Sequence, residues 1–401
     1  MSHPLPRRAH QSLVRALVNQ SWLRSLAAAR RRGADGEMVF GHHNRNLIAP
    51  LGQPLAFLLG MPSGRYLAKF RTPYPSVEVV PRIWPYESEL LRVVGKRVSD
   101  VPSCLLDFGD WSVHDYLPGQ ALSEAIPKGP IGGPWIAELA EVFARLADVP
   151  KDELPPLPAD WPEDRNSRGF LDWLARFTEE QVHQPNRRRF GRLFKAVGIP
   201  DDGVAGYLRS VHDMKERPFA LLHTDLHRAN VVVMSGTGSE TEEDHLAVID
   251  WELAMYGDPL HDLATHLVRM DYVGDEADRM VEAWAAAMER SGHADMTVGL
   301  KRDLPVYLDF EYAQSVFPDV MRAALSLPEL PSEQDLTDAA AQVCRAMERA
   351  FKPLSLPALP DLAEAAEALR AWHATDTGRM EWVDPGKGDE RAEERWERYD
   401  G

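Results

Sequence analysis

Cysteine is almost absent: Cys104 and Cys344 are the only two in 401 residues, and they have neither metal-ligand spacing nor the even pattern of a disulfide framework. A reducing cytoplasm is the compartment this favours. No apolar run approaches the roughly 18 residues that a membrane helix needs, and the N-terminal stretch lacks the apolar centre of a signal peptide. The chain is expected to be cytoplasmic, neither exported nor held in a membrane. Positive charge is also in short supply. Against 45 Lys and Arg stand 62 Asp and Glu, a formal charge of −17, which argues against nucleic acid as a partner because phosphate backbones are bound by basic surface. The same balance is compatible with a cationic small molecule. No internal repeat is visible. A hydrophobic content of 44% with 27% charged residues suffices for a two-lobed molecule with a substantial core.

The informative stretch is residues 221–250, LLHTDLHRANVVVMSGTGSETEEDHLAVID. Residues 220–223 end a short apolar strand, residues 224–229 make a loop, and residues 231–234 form a β-branched strand. Gly236 to Ser239 and the acidic residues after them are turn material, and residues 246–249 are apolar again. The result is a β-hairpin. In an antiparallel pair the start of one strand lies beside the end of the other, so Asn230 and Asp250 should be neighbours. An amide oxygen and a carboxylate facing one spot suit Mg²⁺, which shares its remaining positions with water and substrate phosphates. Asp225, on the same loop as Asn230, would sit close enough to accept a proton from an attacking hydroxyl.

This arrangement resembles the catalytic loop and metal-binding Asp of the eukaryotic-type kinases, though no Lys follows Asp225-Leu226, and Asp250 precedes Trp251-Glu252 rather than Phe-Gly. The blocks HTDLHRAN, IDWE and GDPLHDLA, in that order, resemble the aminoglycoside phosphotransferase and choline kinase superfamily. The resemblance implies a bilobal, protein-kinase-like α+β fold, with a small β-rich N-lobe carrying one key helix and a larger, mainly helical C-lobe. It also implies ATP or GTP as phosphoryl donor and Mg²⁺ as cofactor. For Asp262 it implies hydrogen bonds from the catalytic-loop backbone, beside the plain reading of a carboxylate favouring the helix dipole. His223 is read as a packing and hydrogen-bonding support of the loop, Asp258 as a helix cap, and His227 as facing either nucleotide or solvent.

Residues 1–36 are expected to hold an amphipathic helix (residues 11–32) packed on the small lobe, and residues 37–117 the nucleotide-binding lobe. Within the latter, residues 41–46 lie between candidate strands 37–40 and 47–51 and could lay backbone N–H groups over the phosphates. A plain hairpin turn fits equally well; the resemblance favours the phosphate reading, with Asn44 in the turn. Lys69, the only lysine in the first ninety residues, stands in an apolar strand and either snorkels to solvent or, as the resemblance implies, grips the α- and β-phosphates. Its partner should be Glu87, which shares the buried face of Leu90 and Leu91 on a helix entered through Pro85, whereas Glu89 falls on the surface. The resemblance places the purine-recognising hinge at residues 114–119, including His114 and Tyr116.

Residues 118–355 read as the catalytic and substrate-binding lobe, and residues 356–401 as a helix with a charged tail. The Pro-rich residues 150–162 make a linker or lid, and residues 170–197 a pair of helices that by resemblance help form the acceptor pocket. Asp309, Glu311 and Asp319 are carboxylates that could hold an amino-rich acceptor or simply be solvated. The sequence therefore points to transfer of a γ-phosphoryl group to a hydroxylated small molecule by a monomer or homodimer. An antibiotic acceptor, a metabolic one such as choline, homoserine or a sugar, and a non-catalytic nucleotide-binding regulator all remain open.

Overall fold

In Leu67–Pro73 (β3), Ala68 and Phe70 are essentially fully buried, 0% and 1% exposed, whereas the alternate residues Lys69 and Arg71 point to the opposite face. That alternation positions the site. The computed structural model describes residues 21–33, 35–40, 44–61, 66–73, 80–98, 101–234 and 244–376. Ser21–Gly33 (α1) leads into an antiparallel sheet of Glu37–Phe40 (β1), Asn44–Pro50 (β2), β3, Cys104–Asp107 (β4) and Ser112–Asp115 (β5), ordered β1-β2-β3-β5-β4. Its register sets Lys69 opposite Ile48 and His114, and Arg71 opposite Asn46 and Ser112. The other face of the sheet meets Leu23 and Ala27 of α1 and the short Gln53–Leu58 (α2) in a core with Ala49, Leu51, Phe70, Leu106 and Val113. Arg30 Nε fastens α1 to the sheet through Pro50 O (2.8 Å).

Glu87–Val94 (α3) is the helix expected with this sheet and stands beside β4, where Ser88 Oγ donates to Asp107 Oδ2. Its apolar side, Leu90, Leu91, Val93 and Val94, joins the core of the large lobe. The large lobe begins after a connector at residues 116–119 with Gln120–Ala121 (β6), Leu122–Ala125 (α4) and Gly133–Ala147 (α5). Residues 150–162 are packed down rather than free: Pro155 O and Pro156 O accept Trp84 Nε1 (3.1 and 3.2 Å), and Trp161 Nε1 donates to Tyr256 O (2.8 Å). The expected helix pair is Ser167–Phe177 (α6) and Gln184–Ala196 (α7), joined without a break by a π-helical stretch, Thr178–His183. Gly203–Ser210 (α8) follows.

Two small sheets carry the catalytic segment. Ala220–Leu222 (β7) pairs with Met255–Gly257 (β10), and Val231–Met234 (β8) lies between β6 and His245–Val248 (β9). Pro259–Arg269 (α9), capped by Asp258 Oδ1 on Leu260 N (3.0 Å), packs on Leu300–Leu325 (α11). Glu276–Arg290 (α10), Glu333–Ala350 (α12) and Leu362–Thr375 (α13) complete the lobe. The first half of the expected N-terminal helix, residues 41–43 of the phosphate turn, residues 235–243 of the hairpin turn and the charged tail lie outside the described residues. No described helix is long and apolar enough to cross a membrane.

Candidate active site

The loop from β7 to β8 is fixed from below. Thr224 stands at φ 61°, in the left-handed region that a β-branched residue avoids, and three bonds hold it there. Its N–H and that of His223 donate to Asp262 Oδ1 and Oδ2 (2.7 and 2.9 Å), and its hydroxyl donates to Leu253 O (2.7 Å). Asp262 is 1% exposed; burial pushes its carboxyl up to about 7 against the opposing pull of those two backbone donors. Arg228 ties the loop to its surroundings through Met270 O (3.0 Å), Ile126 O (2.8 Å) and Gly129 O (2.7 Å). His223, fully buried, meets Ile249 O through Nε2 (3.1 Å) and accepts Asp225 N at Nδ1 (3.2 Å).

On this base Asp225 meets three side chains. Asn230 Nδ2 donates to Oδ2 (2.9 Å), His227 Nε2 stands 3.5 Å from Oδ1, and Arg269, from the last turn of α9, is ion-paired to Oδ1. Burial alone would raise the Asp225 carboxyl; His227 and the Arg269 charge outweigh it and hold the group below the usual carboxylate range. The group is held as an anion. Ile249 N donates to Asn230 O (3.0 Å), so Asn230 and Asp250 flank one end of the β8–β9 hairpin. Asp250 sits at φ 65° and, despite burial, is kept anionic by Arg71 and Lys69.

The expected ion pair of Lys69 with Glu87 is corrected by the structure. Glu87 Oε2 takes Arg71 Nη1 (2.7 Å), and Arg71 Nη2 also reaches Asp250 Oδ1 (2.8 Å) and Glu252 Oε2 (2.6 Å). A planar guanidinium presents a fork of donors to several carboxylates, which an ammonium cannot. Glu87 is further committed by its other oxygen, which accepts Trp251 N (2.8 Å). Lys69 has no ion pair among the described residues; burial first, then repulsion by Arg71, lowers its pKa. Asn44 is the second correction: it opens β2 rather than lying in a turn, and its Nδ2 donates to Glu252 Oε2 (2.8 Å). Arg82 also reaches Glu252 (3.2 Å), whose carboxyl is nevertheless pushed up, by burial and by the neighbouring Asp250.

Of the hinge residues, Tyr116 is half-buried in the connector, whereas His114 is a strand residue, 4% exposed, with Nε2 2.8 Å from Ser112 Oγ. Burial, then the charges of Arg71 and Lys69, push its imidazole down to about 3. As the pH falls below the unfolded value of about 6.5, only the unfolded chain takes up this proton, so the contribution of His114 to stability declines with acid. His114→Gln should therefore gain on the wild type by up to about 2 kcal/mol between about pH 6.5 and about pH 5. Thermal melts of both proteins across that range check it; a constant gap would refute it.

Asp309 pairs with Lys352 (2.9 Å) at the surface, away from this cluster. Glu311 and Asp319 of α11 lie within electrostatic reach of Arg269. Sequence reasoning missed Arg71, although its spacing of two from Lys69 on a strand was a usable signal. It also missed Arg269, for which no local pattern exists. Among the described residues no three His, Cys, Asp or Glu side chains gather around one metal position. The donor set is instead an amide oxygen and an anionic carboxylate, which fits Mg²⁺ when phosphate oxygens and water supply the rest.

A small antiparallel lobe, a mainly helical lobe and a buried, rigid catalytic loop between them define a bilobal kinase-like enzyme. The chain belongs to the phosphotransferase enzyme family (APH), whose pattern matches residues 54–297. No sequence among the curated proteins matches it. Among solved structures it is similar to an ethanolamine kinase from Plasmodium vivax (13% identity, 81% of this chain and 82% of that chain, TM-score 0.49). It is also similar to a macrolide 2'-phosphotransferase from Brachybacterium faecium (18%, 80% and 97%, TM-score 0.46). A third is a choline kinase from Streptococcus pneumoniae (14%, 80% and 93%, TM-score 0.47).

Proposed function

We propose that the protein transfers the γ-phosphoryl group of ATP or GTP to a hydroxyl of an antibiotic, aminoglycoside-like or another hydroxylated natural product, giving resistance or self-protection. The observation that carries the reading is the pairing of an anionic Asp225 with Asn230 (2.9 Å) at the hairpin end that also bears Asp250. Asp225 orients the acceptor hydroxyl and takes its proton. With Asn230 Nδ2 committed to Asp225, its Oδ1 and the Asp250 carboxylate would hold Mg²⁺, which when bound neutralises charge on the phosphates. Lys69, left without a carboxylate partner because Arg71 occupies Glu87, is available to the α- and β-phosphates. Tyr116 and its neighbours in the connector offer backbone groups to the purine.

The acidic balance supports an acceptor with amino groups. Purified full-length protein, given MgATP or MgGTP, should consume nucleotide in the presence of one antibiotic class and release a phosphorylated product visible by mass spectrometry. Chelation of Mg²⁺ should stop the reaction. Expression in a sensitive host should raise the inhibitory concentration of that same class. Turnover with choline, homoserine or a sugar and none with any antibiotic would replace this acceptor by a metabolic one. Nucleotide binding without turnover on any acceptor would overturn the kinase reading itself.

A further inference from the structure

Three arginines of the large lobe are held by deeply placed partners, and one of them is unlike the others. Arg217 is 0% exposed and uses Nε, Nη1 and Nη2 on Val298 O, Asp258 and Asp303. Arg228 likewise spends Nε, Nη1 and Nη2 on backbone carbonyls. Arg269 has a single hydrogen-bonded partner among the described residues, Asp225, although its guanidinium carries five N–H donors. Its side chain is 28% exposed. A structural arginine in a protein interior is saturated with acceptors; this one has an edge to spare, beside the carboxylate that receives the hydroxyl proton.

The catalytic loop explains why a cation is needed there. Position 227, two residues after the catalytic carboxylate, is His rather than Lys, and an imidazole is positive only when protonated, whereas a guanidinium always is. Phosphoryl transfer spreads negative charge over three oxygens between the attacking and leaving atoms, and a fixed guanidinium aimed at them stabilises that charge without reorganising. We propose that Arg269 is a catalytic residue: one edge of its guanidinium stays on Asp225 Oδ1 while the other binds the non-bridging oxygens of the phosphoryl group in transit. The assignment rests on the phosphotransferase reading above. In the step, the acceptor oxygen bonds to the γ-phosphorus and the bond to the bridging oxygen breaks, its electron pair leaving with the nucleoside diphosphate. The hydroxyl proton passes to Asp225, and Arg269 neither gives nor takes one.

The test uses full-length protein with MgATP or MgGTP, following inorganic phosphate release with water as acceptor and then transfer to whichever antibiotic the panel identifies. Arg269→Ala should lower kcat by about 10²-fold or more and leave the KM for the Mg²⁺-nucleotide within about threefold. Arg269→Lys should retain part of the lost rate. Free guanidinium ion should restore activity to Arg269→Ala in a saturable way but not to Asp225→Ala, a response that a merely structural arginine would not give. A kcat for Arg269→Ala within about threefold of the wild type would overturn the assignment. So would equal loss in the Ala and Lys variants with no response to guanidinium. A wild type that turns over none of these substrates would instead sink the phosphotransferase reading, and the role of Arg269 with it.

Discussion

Asp225→Ala is expected to lower kcat by about 10³- to 10⁴-fold while nucleotide affinity stays the same or tightens slightly. In the proposed mechanism the variant removes the proton acceptor and the group that orients the hydroxyl, and it frees Asn230 Nδ2 and Arg269 from their bonds to it. It also removes a negative charge from beside the triphosphate, which is why binding should not suffer. Asp225→Asn, which keeps the shape but cannot take the proton, should be nearly as slow. Single-turnover rates and calorimetric nucleotide binding separate the two effects. Activity within tenfold of the wild type in either variant would remove Asp225 from the chemistry.

The second large effect is on stability. Arg217, Asp258 and Asp303 have side chains that are all 0% exposed, and Arg217 Nη1 lies 2.5 Å from Asp258 Oδ2. Tyr307 Oη also donates to Asp258 Oδ2 (2.9 Å), and Lys215 N donates to Asp303 Oδ2 (2.8 Å). Burial already pushes the Asp258 carboxyl up, and Arg217 is the strongest force holding it down. Arg217→Ala would leave the buried Asp258 carboxylate without its cation and Asp303 with Arg302 alone (2.7 Å), a loss of about 3–5 kcal/mol. For a chain of 401 residues that corresponds to roughly 5 °C in Tm. Combining Arg217→Met with Asp258→Asn and Asp303→Asn should recover much of it, because the cost lies in the unpaired charge rather than in the missing side chain. A melting temperature for Arg217→Ala within a degree of the wild type would contradict the account.

How much of this was legible beforehand differs by residue. The hairpin pairing Asn230 with Asp250 follows from two apolar runs around a polar turn, and β8 and β9 lie where those runs are. Asp258 and Pro259 announced the start of α9 by local chemistry alone, and α9 begins there. The Lys69–Glu87 pair was not legible correctly, because two cations alternate on one strand face and only the reach of the guanidinium decides which takes the glutamate. Arg269 was invisible for a different reason. It meets Asp225 across 44 positions of chain, a contact created by the packing of α9 beneath the loop and by no periodicity in the text. That the apolar side of α3 would join the large-lobe core while Ser88 ties the helix to β4 was likewise beyond pattern, since an apolar helix face does not say which core it joins.

The ion pairs of Arg71 have a mechanical consequence. Asp250 and Glu252 belong to the large lobe, yet Arg71 of the small-lobe sheet grips both, and Asn44 beside it also holds Glu252. The cleft is thus riveted a second time, across from the covalent connector. A jaw fastened at two points does not gape freely; it opens only when several ionic links give way together. That leaves Arg71 a hasp between the two lobes as well as a brace for Asp250.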